Sequence, residues 1–279
     1  MSQALQNYAA LDEAADSQRK RGNAASLVRS VLIALAGLGV LLLLWWAGAE
    51  AVARNPRTAS FAGFAPDRAI PTLISMIASG AVLKAFIPSI TRIGLGLFWA
   101  IAIGVPMGIL LGRSGIVRNA TYLPFQLLRM ISPLAWMPVA ILVFPTWDGA
   151  IVFLITAAAV WPITFATAAG LAKVDPDWFK VAHNLGAGFW HLLTVIVVPA
   201  IAQDILTGIR LALGVAWIVL VPAEFLGVTS GLGYAINDAR DTLEYDRLAA
   251  IILVIGVIGF VLDGFLLWAI RRSSWTRQS

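Results

Sequence analysis

Residues 180–199 read KVAHNLGAGFWHLLTVIVVP, and the fold turns on what this stretch does. It follows VDPDW at 174–178, which carries a helix start: Asp175 caps, Pro176 suits the first helical position and Asp177 complements the dipole. Gly186 fits the left-handed residue that ends a helix of about ten residues. Trp178, Val181, Ala182 and Leu185 recur at the spacing of one helical face, while Lys180 and His183 fall elsewhere. Such a helix is too short to cross a bilayer and too apolar on one side to lie bare in water. It needs a partner groove, in this chain or in another protein.

The rest of the chain explains why a short helix is out of place. Of 279 residues, 59% are hydrophobic and 13% charged, with mean hydropathy +0.84; a soluble domain carries roughly 25% charged residues. This is a membrane composition. The net charge of +5 then reads as basic loops holding one membrane face, not as a nucleic-acid surface. There is no cysteine, which excludes disulfides and thiolate metal sites. A spanning helix needs about 20 apolar residues, and the runs 31–49, 93–112, 130–147, 149–172, 201–228 and 248–270 predict six. The first run is longer than a signal-peptide core and is expected to stay as a span.

Six spans place both ends on one side. With the N-terminus inside, cytoplasmic segments carry eleven Lys and Arg against seven outside, Arg92 among the seven. The implied organisation is a cytoplasmic disordered tail at 1–25, a first span with its outer loop at 26–66, a core at 67–271 with five spans, and a cytoplasmic tail from 272 to 279. Residues 66–86 are expected to lie on the outer interface. The polar stretch TSGLGYAINDARDTLEYDR at 229–247 is expected to form an outer loop, with glycine turns.

With this frame, the opening stretch resembles the cytoplasmic loop of the membrane subunits of bacterial ATP-binding-cassette importers. That pattern has Glu-Ala-Ala, a glycine, and an isoleucine and proline at set offsets. Val181 and Ala182 stand at the alanine positions, and Gly186, Ile196, Val198 and Pro199 fall at theirs; Lys180 stands where the pattern has glutamate. LRMISPLAWMPVAIL before the loop and ILTGIRLALGVAWIVLVPAEFLG after it resemble the branch serving nitrate, sulfonates, taurine and bicarbonate. Residues 231–263 resemble its nitrate-type members most. The resemblance covers residues 67–271.

It implies an all-α integral membrane protein with the type I importer permease fold and a short cytoplasmic coupling helix. Trp178, Phe179, Lys180, Val181, Ala182, Leu185, Gly186, Ala187, Ile196 and Pro199 would make the contact with an ATPase. Two copies would enclose the path, two cytoplasmic ATPase subunits would bind ATP and Mg²⁺, and an extracytoplasmic binding protein would deliver a small anion, nitrate or nitrite by preference. The chain itself lacks the G-x-x-x-x-G-K-[ST] phosphate loop, so it is read as a permease and not an enzyme, with no cofactor of its own. GLGLFW at 94–99 lies within a span and reads as close helix packing.

Charges inside spans are costly and point to function. Arg129 is a candidate for drawing an anion into the path; pairing with Glu224 or Asp263, or snorkelling, stands beside that reading. Arg210 is a second path candidate, with a structural role as its alternative. Glu224 is the third and calls for a cationic partner. A self-sufficient secondary transporter or channel is the competing class and would need coupling-ion ligands at mid-membrane. An integral-membrane enzyme would need a cluster of acid, base or metal-binding residues; two histidines, His183 and His191, supply none at helical spacing.

Overall fold

The computed structural model describes residues 29–275, and all described regular structure is helical. The expected tail at 1–25 lies outside the described residues, as do 276–279. The chain divides into two units at Ala69.

In the first unit, α1 (Arg29–Arg54) is long and apolar enough to cross a membrane. A 3₁₀ turn over Ala59–Phe64 follows it. The Trp45 indole N–H donates to the Phe64 carbonyl at 2.9 Å, and the Thr58 hydroxyl to the Val52 carbonyl at 2.8 Å. These two bonds fold the turn back on its own helix.

The second unit begins within α2 (Pro66–Ala78). Gly80, at φ +75°, then breaks the helix and leads into α3 (Ala81–Arg113), a helix of 33 residues. The expected interfacial stretch at 66–86 is thus divided, because a left-handed glycine ends α2 and the residues after it join a span. Helix α3 carries its small residues on one stripe: Gly96, Ala100, Gly104 and Gly108 are all buried. Against that stripe lies α6 (Trp147–Ala172). A Cβ on Gly96 would strike Ile155, one on Gly104 would meet Ile163, one on Gly108 Thr167, and one on Gly112 Leu171. The partners advance together, so α3 and α6 run parallel, backbone close to backbone, as small-residue stripes permit in lipid.

That direction decides the topology. Between two parallel spans the chain must return across the bilayer, and residues 114–146 make the return. They do so in two pieces, not in the straight helix expected over 130–147. Helix α4 (Gly115–Met130) stops, and a 3₁₀ turn (Pro133–Trp136) leads into α5 (Met137–Val143) at 85° to α4. The cause is Pro133: it denies an amide hydrogen to the helix and holds Ser132 extended, at φ −57° and ψ 127°. Pro145 then stops α5, and the Thr146 hydroxyl caps α6 by accepting from Gly149 N–H at 3.1 Å.

After α7 (Pro176–Asn184), a three-residue helix α8 (Phe189–His191) passes through a π-helical stretch (Leu192–Val197) into α9 (Val198–Gly227). The segment 189–200, expected as loop, is therefore the start of the fifth span, 39 residues long with its entry turns. Gly208 packs on Ile163 and Ala166, and Gly170 on Asp204, so α9 runs antiparallel to α6. The expected outer loop at 229–247 is itself folded, containing α10 (Leu232–Asp241). Helix α11 (Tyr245–Trp275) closes the unit, and residues 272–275, expected in the tail, are its last turn. Counting the broken α4–α5 pair, the described residues hold six candidate spans.

Candidate coupling face and intramembrane charges

Helix α7 forms for the local reasons given above. The Asp175 carboxylate accepts from Asp177 N–H at 2.9 Å. At the other end Gly186 takes φ +73°. Its N–H donates to the His183 carbonyl at 2.9 Å, and Ala187 N–H to the Ala182 carbonyl at 3.0 Å. These are the two bonds of a Schellman stop.

The apolar residues of α7 do not share one face. Phe179 packs against the cluster of Leu171, Val197 and Ile201, and the Arg113 guanidinium lies 5.6 Å from its ring centre. Ala182 is buried beside it, 5% exposed. Both residues therefore anchor the helix to its own chain. Trp178, Val181 and Leu185 point away, 56%, 57% and 81% exposed, and Phe189 and Trp190 are also exposed, edge to face at 5.5 Å. The aromatic pair was missed in the sequence because its register belongs to the next helix. Lys180 is exposed and pairs with Asp177 at 2.7 Å. Ile196 and Pro199 line a groove of about 690 Å³ that Val174, Asp175 and Trp178 also border, and Lys173 pairs with Asp204 at its edge at 2.8 Å.

The intramembrane charges sort differently from expectation. Glu224 is fully buried and its cation is Arg92, 4% exposed, which also contacts Asp148 at 2.7 Å. Arg92 is thus not an outer-loop charge. It ties α3 to the start of α6 and to the end of α9, and its two terminal nitrogens donate to the Ser230 carbonyl and hydroxyl at 2.9 and 2.8 Å. Ser89 Oγ lies 2.8 and 2.9 Å from the two Glu224 oxygens and accepts from Leu232 N–H at 2.9 Å. Glu224 also accepts from Gly233 N–H at 2.9 Å, so the glycines of 231–233 make room for a carboxylate, since a Cβ on Gly231 or on Gly233 would strike Glu224. Arg210 is likewise engaged, bidentate to Asp263 at 2.7 Å and 2.7 Å, and this pair joins α9 to α11. Arg129 stands apart, over the Phe165 ring at 5.4 Å, beside a cleft of about 680 Å³.

A bundle of small-residue-packed spans, with a short helix presenting an apolar face at one end, defines a membrane-embedded permease subunit. Residues 104–275 match the family described as binding-protein-dependent transport system inner membrane component, and the chain belongs to that family. The taurine transport system permease protein TauC of Escherichia coli is 32% identical over 242 residues, covering 85% of this chain and 86% of TauC. The bicarbonate transport system permease protein CmpB of Synechococcus elongatus is 34% identical over 250 residues, 86% of this chain and 88% of CmpB. The nitrate import permease protein NrtB of Synechocystis is 33% identical over 178 residues, 64% and 65% of the two chains. The chain is accordingly a multi-pass inner-membrane permease of the anion branch of these importers.

Proposed function

We propose that this chain forms the membrane path of an ATP-driven importer for a small oxyanion, working as a homodimer with two cytoplasmic ATPase subunits and an external binding protein. The exposed face of α7 carries the reading. Trp178, Val181 and Leu185 stand exposed on a helix whose other side, Phe179 and Ala182, is already packed on the bundle. An apolar face held out by an anchored helix fits a groove on a partner, and motion forced on that helix passes through Phe179 to α6 and α9. ATP and Mg²⁺ belong to the partner. The α7 end is cytoplasmic, supported by Arg113, Arg118, Lys173 and Lys180 there; with six crossings both termini lie on that side. The three relatives are named for taurine, bicarbonate and nitrate, and nitrate is the first solute to test because residues 231–263 resemble the nitrate type.

Tagging the chain and purifying it gently from native membranes should recover a P-loop ATPase at close to one copy per permease. A pure, ATPase-free oligomer that still moves anions would replace this reading with a self-sufficient transporter.

Gly186→Val tests the face itself. A Cβ at Gly186 meets no atom within 4 Å, but φ is +73°, where a β-branched residue costs about 1–3 kcal/mol. The expected result is an intact membrane-inserted permease with ATPase recovery lowered about tenfold or more, since 1.4 kcal/mol is tenfold in affinity. Unchanged recovery would place the docking contact elsewhere.

A further inference from the structure

Three arginines lie away from the ends of the candidate spans: Arg92, Arg129 and Arg210. Two of them meet carboxylates, as described. Arg129 does not: among the described residues its only partner is the face of Phe165, at 5.4 Å. A ring face satisfies the flat side of a guanidinium and leaves the N–H edge free. Arg129 is exposed on this chain, within the broken α4–α5 span, so its unused N–H fork is open to an anion from outside the protein.

The surroundings state what kind. Arg129 ends α4 at the 85° break, opposite Phe165, seven residues or roughly 10 Å from the inner end of α6. The adjoining cleft of about 680 Å³ is walled by Pro133, Trp136, Phe153, Trp161 and Phe165, and among the described residues Arg129 is the only charged one in its lining. Within this wall Trp161 stacks on Phe165 with ring centres 6.3 Å apart, and Phe125 meets Trp161 edge to face from behind at 5.3 Å. A low-dielectric wall strengthens whatever charge pair forms against it. The guanidinium fork matches two oxygens of a planar or tetrahedral oxyanion, a geometry that an ammonium does not reproduce.

We propose that Arg129 and this aromatic cleft form an oxyanion-binding subsite inside the permease, taking a small monovalent oxyanion such as nitrate, bicarbonate or a sulfonate. This deepens the importer reading and rests on it. One arginine without a second cation holds an anion loosely, as a transit site must if the solute is to leave. A lipid phosphate has the same oxygen geometry and is the other source of such a ligand.

The test uses the full transporter in nanodiscs of phosphatidylcholine, with and without phosphatidylglycerol, titrated calorimetrically with nitrate, bicarbonate and taurine at constant ionic strength in chloride. Saturable binding of at least one solute is expected, weakened about tenfold or more in Arg129→Gln and less in Arg129→Lys, with membrane insertion and ATPase recovery retained in both. If no solute binds but phosphatidylglycerol is retained in an Arg129-dependent way, the subsite stands and its occupant is the lipid phosphate. Equal binding of solutes and lipid by the wild type and Arg129→Gln overturns the proposal. Loss of the ATPase from the wild type itself would instead overturn the importer reading and leave the titrations to be judged alone.

Discussion

Arg92→Ala is expected to leave little folded permease. It removes the cation from a fully buried Glu224 and takes donors from Asp148 and Ser230 together. Breaking a buried ion pair from one side costs about 3–5 kcal/mol, because the remaining charge is left in a low dielectric without compensation. That is a large part of the roughly 5–15 kcal/mol that holds a typical domain together. Thermal unfolding of the detergent-solubilised protein, followed by size-exclusion chromatography, should show the loss. The double variant Arg92→Met with Glu224→Gln is the control. Its neutral amide oxygen still accepts from Gly233 N–H and Ser89, so much of the stability should return. If the single variant is as stable as the wild type, the knot is not what joins the ends of α3, α6 and α9.

Gly108→Leu is expected to be nearly as damaging, for a steric reason. A Cβ at Gly108 would lie 2.5 Å from Thr167 Cβ and 2.6 Å from the Thr164 carbonyl oxygen. The second contact is to backbone, so no rotamer change relieves it. Overpacking costs about 1–3 kcal/mol where side chains can yield, and more where they cannot; we expect the upper end, read as a fall in melting temperature and in expression. Gly94→Ala, in the same helix with open space around its Cβ, should instead be neutral or slightly stabilising. Equal behaviour of the two variants would contradict the parallel α3–α6 contact.

The local signals were legible in the residues. Apolar run length located the spans, Asp175 and Pro176 located the start of α7, and Gly186 its end, because each acts on its own neighbours. The break at Pro133 is marked only by a Ser-Pro pair inside an apolar run, and hydropathy, which counts no hydrogen bonds, does not register it. Arg92 was placed outside the membrane for a related reason. A charge truncates an apolar window whether or not a carboxylate 132 positions later neutralises it. The face of α7 was split for a third: Phe179 and Ala182 turn inward only because Leu171, Val197 and Ile201 come to meet them.

What this sequence determined by itself is a membrane protein of six apolar crossings, interrupted by one short capped helix at 176–184, since run length, capping and glycine conformation depend on residues within a turn or two. The tertiary structure alone decided that α3 and α6 run parallel, that Glu224 and Asp263 are taken by Arg92 and Arg210, and that Arg129 is left over. Those outcomes depend on which side chains meet across helices more than fifty residues apart in the chain, and in lipid that choice is made by close packing and charge pairing rather than by any local preference.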